Sequence, residues 1–110
     1  MKIEVTNISF CVKDEDGLSY IHCTTTSGYY SVCRYSSDEQ LYVELNNPSS
    51  GRYLSPDYFE YIIENGKMSF YVDENRNWDL GIYQNITLIF EPLDDISYNS
   101  LVQTVRQIFI

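Results

Sequence analysis

The sequence predicts an α+β domain: an antiparallel sheet of about six to seven strands, run as hairpins and a meander, with one C-terminal amphipathic helix packed on one face. Three observations carry this. Apolar side chains alternate with a period of two as far as Phe90. Turn dipeptides (Asp16-Gly17, Ser27-Gly28, Asn65-Gly66) punctuate the alternation. After Pro92 the apolar spacing switches to that of a helix.

Ile8, Phe10 and Val12 open the first clear strand. With a type I′ turn at Asp16-Gly17, Val12 faces Ile21, Phe10 faces Cys23 and apolar meets apolar. Bringing Ile3 and Val5 onto the same face requires a shift near Thr6-Asn7, which predicts a bulge. A turn at Ser27-Gly28 places Cys23 opposite Val32, and Leu41, Val43 and Leu45 alternate in "QLYVELNN". "NPSSGRYLSP" is rich in Asn, Pro, Ser and Gly and predicts a loop.

Asn65-Gly66 is the clearest turn. It pairs Ile63 with Met68, Tyr61 with Phe70 and Phe59 with Val72, and sets Glu64 across from Lys67. "DENRNWDLGIYQN" predicts a polar loop carrying the only tryptophan, and Ile86, Leu88 and Phe90 a last strand. Pro92 cannot donate to a sheet and stops it. Asp94 or Asp95 suits a helix N-cap, where a carboxylate accepts orphan N–H bonds. Tyr98, Leu101, Val102, Val105, Ile108 and Phe109 then form one apolar stripe, with Asn99, Ser100, Gln103, Arg106 and Gln107 on the wet face. A helix this short needs an apolar support, so it is expected to act as a structural lid on the sheet.

The chain of 110 residues fits one domain, 1–110, and its 44% hydrophobic content suffices for one core. A formal charge of −9 argues against direct nucleic-acid binding, which needs Lys and Arg. It is compatible with a basic protein partner, and equally with simple solubility. The N-terminus shows no secretory pattern, and no apolar run approaches the length of a membrane span. A cytoplasmic location is therefore expected. Cys11, Cys23 and Cys33 are odd in number without CxxC spacing, as expected of free thiols in a reducing compartment. Without export, the glycosylation patterns at Asn7 and Asn85 carry no meaning.

Two-residue turns would align Cys11, His22 and Cys33 across three strands. That flat row fits a tetrahedral ion poorly and lacks a fourth ligand, so no metal is expected. His22 is the only imidazole, and a Cys–His nucleophile would lack an orienting third group. The carboxylates fall at turns and loop edges, where solvation explains most of them. The glycines are dispersed, with no phosphate-cradling loop, and no cofactor is expected. Eleven tyrosines are more than a core needs, and tyrosine and tryptophan favour interfaces. Trp78 suits an anchor for a partner as well as it suits a loop aromatic folded onto the core. The candidate partner-binding residues are Asp14, Glu15 and Asp16 in one turn, and Asp73, Glu74, Trp78 and Asp79 in the tryptophan loop.

"LYVELNN", the loop "SSGRYLSP", the hairpin "YFEYIIENGKMSFYVD" and the closing "ITLIFEPLDDISYNSLVQTVRQIF" together resemble the polymorphic-toxin immunity protein 10 family. The order and spacing of these pieces from Leu41 to Phe109 carry the resemblance. The Ser-Gly-Tyr loop departs from the family pattern, which continues with two glycines. The resemblance implies an α+β, non-enzymatic bacterial protein that binds and neutralises a cognate toxin encoded by an adjacent gene. The residues also leave open a small acidic adaptor domain, or an acidic nucleic-acid mimic.

Overall fold

The computed structural model describes residues 1–72 and 83–110. Within them the chain forms β1 (Lys2–Glu4), β2 (Asn7–Cys11), β3 (Leu18–Thr24), β4 (Tyr29–Tyr35), β5 (Leu41–Leu45) and β6 (Asn47–Leu54). A 3-10 turn (Pro56–Tyr58) follows, then β7 (Phe59–Glu64), β8 (Lys67–Val72), β9 (Asn85–Ile89) and α1 (Asp95–Phe109). The α+β class holds. The single sheet of six to seven strands does not: nine strands make two sheets, ordered β2-β3-β4-β5-β6 and β1-β9-β8-β7.

Inward-facing residues of both sheets and of the helix form one core. Tyr30 of β4 stacks on Phe70 of β8 with ring centroids 6.4 Å apart, so the two sheets meet face to face. Ile21, Leu41, Met68, Leu88, Leu101 and Val105 have no solvent exposure. Each such side chain contributes about 1.5–3 kcal/mol of burial.

The helix begins where the sequence puts it. Asp94 is the cap, in extended backbone, and its carboxylate accepts from the Ser97 N–H at 2.8 Å. The helix lies against β2, β3 and β4. Its end also reaches the other sheet, where the Phe109 ring stacks on Phe70 at 4.7 Å and meets Phe59 edge-on at 5.3 Å. It is thus a plug between two sheets rather than a lid on one. Arg34 closes its C-terminus, donating from Nη1 to the Ile108 and Ile110 carbonyls at 3.2 Å each. Thr104, missing from the apolar stripe, is buried because its hydroxyl donates to the Ser100 carbonyl at 2.8 Å.

The Asn65-Gly66 hairpin has the expected register at every named pair, from Phe59 with Val72 to Glu64 with Lys67. Gly66 takes φ +102°, which favours glycine. The two earlier hairpins are displaced by two residues. Phe10 faces Ile21 and Cys23 faces Tyr30. The cause in the first is Asp14, whose carboxylate accepts from both the Asp16 and Leu18 N–H groups at 2.9 Å and so organises a wider turn. In the second, the Thr25 N–H bonds the Gly28 carbonyl at 2.9 Å and closes the turn around Thr26-Ser27, one position before Ser27-Gly28. A displacement of two leaves every side chain on its expected face.

Two other expectations are corrected. The shift near Thr6-Asn7 is not a bulge but the crossing from one sheet to the other: β1 runs parallel to β9, Ile3 beside Leu88, while β2 pairs with β3. "NPSSGRYLSP" is not a loop: its residues Asn47–Leu54 are the edge strand β6, which follows Asn46 at φ +68°. Its Ser50 hydroxyl accepts from the Leu45 N–H where the ladder slips.

Candidate interaction surface

The five-stranded sheet has one face in the core and one face outward. Alternation along the strands decides which residues point out. Ile21, Cys23, Tyr30, Val32, Leu41 and Val43 point in and are buried. Tyr20, Tyr29, Tyr35, Tyr42 and Tyr53 take the opposite phase. The pairing aligns Cys11, Tyr20, Cys33, Tyr42 and Tyr53 as one row across all five strands. The row replaces the Cys11–His22–Cys33 alignment that two-residue turns would make; His22 instead faces Ser9 and Ser31.

The rings make a partly ordered aromatic surface. Tyr42 and Tyr53 lie 4.8 Å apart, and Tyr29 stacks on His22 at 5.6 Å. Tyr53 is 67% exposed and Tyr35 45%. Glu44 sits among them. Its Oε1 accepts from the Tyr29 hydroxyl at 2.6 Å. Hydrogen bonding to Glu44 is also the main cause that pushes the Tyr29 and Tyr42 hydroxyls up to about 12. Gly51 of β6 lies under the Tyr42 ring, with no room for a Cβ: one built there would stand 2.8 Å from Cζ.

Acidic residues gather at one end of this face. The β2–β3 turn carries Asp14, Glu15 and Asp16, and the β4–β5 turn carries Asp38 and Glu39. A hydrogen bond of 2.9 Å from the Ser36 N–H to the Gly17 carbonyl holds the two turns together. Glu15, Asp16, Asp38 and Glu39 are exposed, whereas Asp14 is half-buried and engaged in its turn. Arg34, at the same end, is drawn to the helix terminus. The turns at the opposite end, around Thr25–Gly28 and Asn46, carry no charged side chain. The other candidates, Asp73, Glu74, Trp78 and Asp79, lie outside the described residues.

The clefts near these residues are small. One of about 120 Å³ lies among Cys33, Tyr35, Asp38, Tyr42 and Tyr53; a second of about 350 Å³ adjoins it along 37–40. Pockets for small ligands run roughly 300–1,000 Å³ and enclose most of the ligand. The larger cleft is an open surface depression lined by turn residues. Among the described residues, no three His, Cys, Asp or Glu side chains gather as a metal site. No described helix is long and apolar enough to cross a membrane. Burial pushes the Cys23 thiol up to about 12, and burial with the nearby Glu44 carboxylate raises Cys33, so neither is an activated nucleophile.

The sequence reading missed the tyrosine face as a unit, although its signal was present. Tyrosines at 20, 29, 35, 42 and 53 are out of phase with the apolar core positions of the same strands. The clustering of the acidic turns was not legible, because they are two turns apart in sequence. Comparison with protein-family models, with curated proteins and with solved structures found no match.

Proposed function

We propose that this chain is a bacterial immunity protein that binds a cognate toxin, encoded by an adjacent gene, and neutralises it by occlusion in the cytoplasm. The observation that carries this reading is the outward tyrosine row of the five-stranded sheet, flanked by acidic turns. Tyrosine supplies large amphipathic contact area at low entropic cost and is enriched at interface centres. The acidic turns supply a rim that speeds encounter with a basic partner. The resemblance of Leu41 to Phe109 to immunity proteins supports the same reading. On this reading the protein is a binder and not an enzyme.

The test is co-expression with the product of the adjacent gene. The two proteins should co-purify, and the chain should protect cells from that product. Tyr42→Ala with Tyr53→Ala should abolish both effects while the fold is retained. Protection that survives this double change would move the binding surface elsewhere. A partner without toxicity would make the chain an adaptor. Displacement of the chain from its partner by DNA or RNA would make it a nucleic-acid mimic.

A further inference from the structure

Glu44 is the one formally charged residue on the outward face of the described strands β2 to β6, apart from the edge residue Arg52, which pairs with inward-facing Val43. A carboxylate has about four lone-pair sites. The Tyr29 hydroxyl takes one, and the Tyr42 hydroxyl is drawn to the same group. A tyrosine hydroxyl donates, so the Tyr29 bond orients the carboxylate without neutralising it. Among the described residues, this carboxylate accepts its hydrogen bond from the Tyr29 hydroxyl. It is half-buried, in a setting less screened than a free surface carboxylate.

We propose that Glu44 is the receptor for an arginine side chain of the partner protein, seated between the Tyr29 and Tyr42 rings. This rests on the reading of the tyrosine face as the partner surface. Charge complementarity supplies the occupant: the chain carries −9, and acidic turns border this face, so cationic side chains are drawn to it. The surroundings select arginine over lysine. A guanidinium is planar, stacks on aromatic rings and can bond a carboxylate through two N–H groups at once. A lysine ammonium is a compact, strongly hydrated charge that gains less from the rings. Because the Tyr29 hydroxyl already orients the carboxylate, less side-chain freedom is lost when the guanidinium arrives.

A short oligo-arginine peptide and an oligo-lysine peptide of equal length provide the test. Each is titrated into the intact protein while the Tyr29, Tyr42 and Tyr53 ring resonances are followed by NMR. The arginine peptide is expected to perturb these rings and to bind more tightly than the lysine peptide. Glu44→Gln, which keeps the size of the side chain, should weaken arginine binding roughly tenfold or more, the factor that a charge-assisted hydrogen bond corresponds to. Equal affinity for the two peptides in the unaltered protein overturns the proposal and needs no variant. So does arginine binding unaffected by Glu44→Gln, or perturbation confined to the Asp14–Asp16 turn. The adjacent gene product then separates the two readings. If it binds the Glu44→Gln chain as tightly as the original, the Glu44 assignment fails and the immunity reading stands. If it does not bind at all while the arginine peptide does, the immunity reading fails and the Glu44 site stands.

Discussion

The side chain of Asn65 and the backbone of Leu93 exchange two hydrogen bonds, each 2.7 Å long. Asn65 Nδ2 donates to the Leu93 carbonyl, and the Leu93 N–H donates to Asn65 Oδ1. The asparagine thereby acts as a piece of backbone. It fastens the β7–β8 turn to the segment that leads into α1, beside a further bond from the Phe90 N–H to the Gly66 carbonyl. The residue that marks the turn in the sequence also fixes the helix entry.

Asn65→Ala leaves Gly66 in the turn but removes both side-chain partners of Leu93, the donor to its carbonyl and the acceptor of its N–H. It should speed hydrogen exchange at the Leu93 amide and lower the melting temperature, while the β7–β8 register stays intact. Unchanged exchange at Leu93 would show that the clamp has no hold on the helix entry.

Leu101 is fully buried, and Ile96, five residues earlier in the same helix, is 84% exposed. Leu101→Ala should cost roughly 2–5 kcal/mol, as cavity-forming changes do. Ile96→Ala should stay within about 0.5 kcal/mol. Denaturant titration of the two variants checks the placement of the helix, and equal losses would contradict it.

Tyr29 and Tyr42 bear on stability at alkaline pH. Their hydroxyls are raised from 10.0 to about 12 by hydrogen bonding to Glu44. A pKa raised in the folded state stabilises fully below the unfolded value and less as pH climbs through the folded one. The contribution should therefore be intact below pH 10 and lost as pH rises through about 12. Ultraviolet titration of tyrosinate should show two tyrosines moving back toward 10 in Glu44→Gln. A titration curve identical to that of the unaltered protein would rule out the hydrogen bonds.

Cysteine labelling reports on the sheet. Cys23 has no solvent exposure and its thiol is pushed up to about 12 by burial, so it should resist a maleimide until the protein unfolds. Cys11 and Cys33 are half-buried on the outward face and should react first, Cys33 slowed by its raised pKa. Mass spectrometry of partially labelled protein distinguishes the three. Early labelling of Cys23 would reverse the assignment of the faces.

These residues also show what the sequence makes legible. Asn65-Gly66 gives its whole hairpin, because glycine's freedom of φ and the flanking alternation are local. Asp16-Gly17 misleads by two residues, because the Asp14 carboxylate, a side-chain effect, widens the turn. Faces survive that error while partners do not, so the core was readable and the Cys11–Tyr20–Cys33 row was not. β6 hides because Pro48 and Gly51 mask an edge strand whose pairing is irregular. The pairing of Ile3 with Leu88 joins distant segments and leaves no local mark. For the same reason the sequence could give one apolar face per hairpin but not how many sheets those faces make.

The parallel pairing of β1 with β9 also orders events during synthesis. On the ribosome, β1 emerges long before β9, its neighbour in the sheet, exists. The hairpins from β2 onward can pair as they emerge, since their contacts are close in sequence. The four-stranded sheet cannot close until β9 has left the exit tunnel, and the helix that plugs the core is made later still. An incompletely translated chain would therefore display the apolar inner face of its larger sheet to the cell. Such a chain is open to aggregation until β9 and the helix are in place.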